Sequence, residues 1–200
     1  LSKFCASVEW VPLPKDSFGI GRYWRAVGGL LTAEPYEFRW LRSREMMKRL
    51  ARLAGRFRFD VVHADTLGLA PYVSLVPSVG TVLNHHDIES ALVQRRAASE
   101  RSLLWRMFWS REAAHLLAAE RRWCPTFHVN MVVSEDEGQL IRPSCGESNV
   151  CVVPNGVDCY TIRPKSDHAM TSPVLLFTGD MGAEPNVEAA TVLATEVFPA

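Results

Sequence analysis

Short runs of apolar residues alternate along this chain with stretches of helical period. Five runs read as buried strands: 60–63 (DVVH), 80–84 (GTVLN), 129–134 (VNMVVS), 149–153 (NVCVV) and 174–178 (VLLFT). They are β-branched or aliphatic at successive positions, as strands of a parallel sheet covered on both faces should be. Residues 42–57 place Met46, Met47, Leu50, Leu53 and Ala54 on one helix face and basic residues on the other. Residues 89–123 predict a long helical region, broken once or twice. Ser134, followed by Glu135, Asp136 and Glu137, sets a capping hydroxyl and three acids at a helix start. Residues 186–197, with Pro185 just ahead, predict another amphipathic helix. This alternation implies an α/β fold built on a doubly wound parallel sheet.

Residues 154–173 break the pattern. Pro154, Gly156, Pro164 and Pro173 flank Lys165-Ser166-Asp167-His168, a polar, turn-rich stretch between two strands. The expected layout is a first domain over 1–158, an interdomain linker over 159–173 and the start of a second domain over 174–200. That last piece is one strand, one loop and one helix, too little to bury its own core. Both ends read as cuts: the chain opens on Leu1 without Met, and residues 196–200 read as the exit of a helix.

Composition narrows the class. The 200 residues are 48% hydrophobic and 22% charged, ordinary for a globular protein, which excludes wholesale disorder. A formal net charge of zero gives no global field toward nucleic acid. The five cysteines are odd in number and lack C-x-x-C spacing, which argues against a disulfide framework or structural zinc and fits a reducing cytosol. No uncharged apolar run of about eighteen residues spans a bilayer, and no signal peptide is visible. A cytoplasmic location is expected.

Candidate chemistry lies at the ends of the strands. Val152-Val153-Pro154-Asn155-Gly156-Val157-Asp158, followed by Arg163-Pro164, is a strand running into a sharp turn. Further on, Leu175-Leu176-Phe177-Thr178-Gly179-Asp180-Met181 precedes Pro185-Asn186-Val187-Glu188, a strand ending in Gly with a helix start beyond it. Such a turn lets backbone approach a phosphate and aims helix N–H groups at it. Upstream stand Phe59-Asp60-Val61-Val62-His63-Ala64-Asp65, Thr81-Val82-Leu83-Asn84-His85-His86-Asp87-Ile88-Glu89-Ser90 and Val132-Val133-Ser134-Glu135.

These five motifs, in this order, resemble family 4 glycosyltransferases of the GT-B fold. Among these, the chain is most like bacterial sugar transferases tied to exopolysaccharide and PEP-CTERM protein-sorting clusters. The resemblance covers about residues 57 to 200 well and the first fifty loosely. It implies two Rossmann-like domains, the first mostly present but lacking its first strand and Gly-rich loop, the second only begun. It implies transfer of a sugar from a nucleotide-sugar donor to an acceptor hydroxyl with retention, and no protein-bound metal or other cofactor. A transferase of this kind needs positioned donors for the departing diphosphate more than a strong base.

Residue by residue, the resemblance makes His86 the group beside the reacting sugar, just past a strand end where ligands of open α/β sheets bind. His85 points elsewhere if the strand persists. Asp87 and Glu89 are placed to bind acceptor hydroxyls, although Asp87 or Ser90 serves equally well as a helix cap. Gly179, Asp180, Met181 and Asn186 stand at the donor positions, and Asn155 and Gly156 at the interdomain hinge. Many relatives carry Arg directly after that glycine and Lys seven positions beyond it; this chain has Asp180 and Asn186, and a carboxylate repels phosphate. The resemblance places the family's acidic E-x7-E pair, which holds the donor ribose and sugar, downstream of residue 200.

Other readings compete. His63, Asp65, His85, His86 and Asp87 form a conceivable metal cluster at two strand ends, the basis of a metal-dependent hydrolase. A non-catalytic truncated homologue is the third reading. Arg42, Arg44, Lys48, Arg49, Arg52, Arg56 and Arg58 suit a solvated helix face or an anionic membrane surface. Trp105, Phe108, Trp109 and Trp123, interleaved with Arg101, Arg106, Arg111, Arg121 and Arg122, suit core packing or a bilayer interface. The expected partners are a nucleotide-sugar donor and a glycan or lipid-linked acceptor, with peripheral contact at the inner face of the plasma membrane and no nucleic acid.

Overall fold

The computed structural model describes residues 3–12, 34–146, 149–163, 175–182 and 184–198. The chain divides into two compact units, Leu1–Gly156 and Val157–Ala200. In the first, α1 (Tyr36–Leu41), α2 (Arg44–Arg56), β1 (Phe59–Ala64), α3 (Ala70–Val73), β2 (Ser78–Asn84), α4 (Glu89–Ser99), α5 (Leu103–Trp123), β3 (Val129–Val132), α6 (Glu135–Cys145) and β4 (Val150–Val152) follow one another. The sheet has four strands in the order β1-β2-β3-β4. Each pair is parallel, with His63 beside Val82, Leu83 beside Asn130 and Val132 beside Val152. The α/β class and the parallel sheet are as expected, and the sheet with its helices is Rossmann-like.

Two features depart from the expectation. The strand order is monotone, and the reversal that marks a doubly wound sheet does not occur among the described strands. Among the described residues, the helices also bury one face only. Ala64, Leu83, Asn130 and Val132 share that face and lie within the core formed with Leu67, Ile88, Ala119, Phe127, Ile141 and Cys145. The opposite face, with Val61, His63, Gly80, Val82, Met131 and Cys151, holds no buried residue among those described. The apolar runs were read as covered on both sides because aliphatic character does not record which face has a partner.

Helix boundaries follow local chemistry. Ser43 caps α2, its hydroxyl accepting from Met46 N at 3.2 Å, and Arg56 stands in the last turn, where a cation suits the helix C-terminus. The Tyr72 hydroxyl joins the break between α1 and α2, accepting from Ser43 N at 2.6 Å and donating to Leu41 O at 2.7 Å. The long helical region breaks once, at residues 100–102, into α4 and α5. Ser134 caps α6 as expected, accepting from Glu137 N, while Glu137 accepts from Val133 N. Gly146 closes α6 at φ 86°, a conformation that favours glycine. No helix among the described residues is long and apolar enough to cross a membrane.

In the second unit, α7 (Glu184–Val192) continues into a wider turn over Leu193–Val197. The helix starts two residues earlier than predicted and takes Pro185 into its first turn, where a missing N–H costs nothing. The strand expected over 174–178 does not form across 175–178, and Val174 lies outside the described residues. A strand exists only by pairing, and this segment has no neighbouring strand among the described residues. Of the expected linker, residues 164–173 lie outside the described residues.

Candidate functional site

The C-terminal ends of the parallel strands deliver the polar residues to one edge of the sheet. Asp65 follows β1, and Asn84 ends β2 just before His85 and His86. There His86 Nε2 lies 3.1 Å from Asp65 Oδ1, and Asn84 Nδ2 donates to the same oxygen at 2.7 Å. The Asn84 bond, with a smaller contribution from His86, holds the Asp65 carboxyl below its usual range. Asp65 is thus the ionised acceptor, so His86 presents Nε2–H to it and keeps Nδ1 without a partner among the described residues. Both side chains are well exposed, 62% and 65%, which keeps the pair open to a ligand.

His85 turns the other way, as the alternation of a strand requires. It is buried, its Nε2 lying 3.2 Å from Asn130 Oδ1 and 3.9 Å from Cys124 Sγ. Asn130 Nδ2 donates to the Cys124 carbonyl at 3.0 Å, so Oδ1 is its free acceptor and His85 Nε2 carries the proton. Burial pulls the His85 pKa down, more than the Asn130 contact raises it. Neighbouring burial likewise pushes the Cys124 thiol well up, which makes it inert.

Asp87 is exposed beside His86. Glu89 is turned inward. Thr66 Oγ1 lies 2.7 Å from Glu37 Oε1 and 3.0 Å from Glu89 Oε1. One hydroxyl hydrogen cannot serve two carboxylates. Burial, and then the adjacent Glu37 carboxyl, pushes the Glu89 pKa up to about 9, so Glu89 keeps its own proton at neutral pH.

Neither Asp87 nor Ser90 caps α4. The helix follows Ile88, and its open N–H groups are met from α5: Ser90 N donates to Glu120 Oε1 at 3.0 Å and Ser90 Oγ to Glu120 Oε2 at 2.7 Å. In the same way Tyr36 N, opening α1 after Pro35, donates to Glu112 Oε1 at 2.6 Å. Two buried glutamates of one helix therefore cap two others. Sequence reasoning missed both, and also missed Asn84 as the residue that orients Asp65. The available signal was an acid at an inward position of α5, which only a stated packing partner makes readable.

Of the five residues proposed for a metal, only Asp65 and His86 meet. Among the described residues no group of three or more His, Cys, Asp or Glu side chains is arranged to hold a metal ion. The hydrolase reading built on His63, Asp65, His86 and Asp87 loses its site, because His63 lies before the strand end and Asp87 turns out past it.

In the second unit the loop closes on itself. A Cβ on Gly179 would meet Asn186 Cγ at 3.0 Å, so glycine is what lets the loop lie against α7. Asn186 Nδ2 donates to the Asp180 carbonyl at 3.0 Å, and Asp180 Oδ1 accepts from Gly182 N at 2.8 Å. The Asn186 amide and the Gly182 N–H are therefore occupied within the loop, while Met181 is exposed. Asn155 and Gly156 are exposed at the end of the first unit.

No curated protein and no solved structure matches this chain. The profile of Glycosyltransferase Family 4 matches residues 12–160, from ahead of α1 through β4 and past the Pro154-Asn155-Gly156 turn. With the parallel sheet and its polar C-terminal edge in place, that match establishes that the chain belongs to glycosyltransferase family 4.

Proposed function

We propose that this glycosyltransferase moves a sugar from a nucleotide-sugar donor to an acceptor hydroxyl with retention, in exopolysaccharide or cell-surface glycan synthesis. The observation that carries the reading is His86, exposed at the strand edge and held by Asp65, which Asn84 orients in turn. A fixed imidazole there orients a sugar hydroxyl and stabilises positive charge developing on the ring, while the leaving diphosphate takes the acceptor proton. Asp87 is the acceptor-side residue with a free carboxylate; Glu89 acts from behind it, as a neutral group bracing the loop. On the donor side Gly179, Asp180, Met181 and Asn186 shape the approach to the diphosphate, and the neutralising cations come from other parts of that domain. The layout we favour is an acceptor domain over 1–158, a linker over 159–173 hinged at Asn155 and Gly156, and a donor domain from 174 onward. The acceptor is a glycan or a lipid-linked hydroxyl, and the enzyme works in the cytoplasm at the inner face of the plasma membrane.

The test is turnover of UDP- and GDP-sugars by the protein. His86→Ala should lower kcat by about 10²–10³-fold, the range for loss of one positioned electrostatic group. Asp65→Asn should lower it by about tenfold, because the ring loses the carboxylate that anchors it. Chelator should leave turnover unchanged, as a reaction without protein-bound metal requires. Unchanged turnover in His86→Ala removes that residue from the chemistry.

A further inference from the structure

We propose that the tip of the α4–α5 hairpin is a docking surface for an anionic lipid bilayer. The two helices run antiparallel: Ser90 meets Glu120 at one end, and Arg96 lies 4.1 Å over the Trp109 ring near the other. The turn at residues 100–102 is therefore the end remote from Glu89, about 16 Å away along an 11-residue helix. Just past it, Leu103, Leu104 and Met107 are 61%, 80% and 62% exposed. Leu103, Met107 and Arg111 recur every four residues and share one face of α5.

Behind that face, Trp105, Phe108 and Trp109 pack on one another, with ring centroids 5.7, 4.8 and 6.5 Å apart. The tryptophans stiffen the tip, and the leucines and the methionine face outward. Arg95, Arg96, Arg101, Arg106 and Arg111, on the same hairpin, are all exposed. Glu100 is the one acid between residues 95 and 111, and its carboxylate accepts from Ser102 N at 2.9 Å. An apolar tip on a hairpin that carries five exposed arginines matches a bilayer surface, whose acyl boundary takes the leucines and whose headgroups take the charge. The basic stretch on α2 lacks this combination. Arg49 is held by Glu45 at 2.8 Å and donates to the Trp10 carbonyl at 3.1 Å, and none of the α2 apolar residues is as exposed as Leu104.

The proposal gives a specific surface to the membrane placement suggested above, and its readout is independent of sugar transfer. The experiment is flotation of the intact chain with phosphatidylcholine vesicles, with and without phosphatidylglycerol. The chain should float with the anionic vesicles, less so as salt rises, and not with phosphatidylcholine alone. Arg101→Ala with Arg106→Ala should weaken binding by about thirtyfold. Leu103→Ser with Leu104→Ser should weaken it by about tenfold or more. Arg52→Ala with Arg56→Ala, on α2, should leave it unchanged, and circular dichroism should show all three variants folded. Failure to float, equal flotation with neutral vesicles, or tip variants that bind like the parent would each overturn the proposal. So would a dimer that dissociates in the leucine variant without any vesicle binding, since a second copy then covers the tip. Loss of turnover in His86→Ala alongside lost flotation of the parent would sink the docking surface and leave the transferase reading standing.

Discussion

His85 and His86 are adjacent in the chain, and the end of β2 sends them into different surroundings. His86 meets an ionised carboxylate at the open edge, and His85 enters the core against Asn130 and Cys124. A depressed pKa means that folded His85 refuses a proton which the unfolded chain accepts. Stability from this residue is present above its ordinary value of 6.5 and is lost as pH falls below it. In urea melts, the drop in stability from about pH 7 to about pH 5.5 should shrink in His85→Gln, where the proton-linked part is gone. An equal drop in both proteins would place the acid sensitivity elsewhere. Glu89 has the opposite sign. Its raised pKa means that the folded state holds the extra proton, so its contribution weakens as pH rises from about 4.5 toward about 9.

At the scale of elements, helix starts separate local from non-local chemistry. The α6 start uses its own Ser134, which a reader of the sequence can see. The α4 start uses Glu120, thirty residues away on α5, and the α1 start uses Glu112. Ser134→Ala removes one half-buried cap and should cost about 1 kcal/mol. Glu120→Ala removes two bonds at once and strands the Ser90 N–H in the core, so the expected loss is larger, about 2–4 kcal/mol. Chemical denaturation of both variants checks the order, and a reversed ranking would mean that α4 does not depend on α5 for its cap. Packing adds a second non-local constraint. A Cβ on Gly68 would lie 2.6 Å from Leu41 Cδ1 and 2.8 Å from Glu37 Oε1, so any larger residue there would make the ends of these two α1 side chains move aside.

At the scale of the whole molecule the two units differ in what they bury. The first holds a core of Leu67, Leu83, Val132 and Ile141, each essentially inaccessible. The second has no buried residue among those described. Opening free energy follows buried contacts. Hydrogen exchange should therefore find the amides of β2 and β3 the slowest and those of α7 among the fastest. Slow exchange across α7 would show that the second unit has a core of its own.

What the sequence determined by itself was everything carried by neighbours along the chain. The period of the apolar residues marked the longer helices and four strands, though not the short helices α1 and α3; Ser134 marked a cap, and the alternation of a strand separated His85 from His86. The five motifs, in order, gave the family. Only the tertiary structure decided which sheet face is buried, that 175–178 is not a strand, that Glu89 is a protonated interior group, and that Asp65 and Asn84 hold His86. Those outcomes depend on pairing and burial between residues far apart in sequence, and pairing partners leave no local mark on the residues they select.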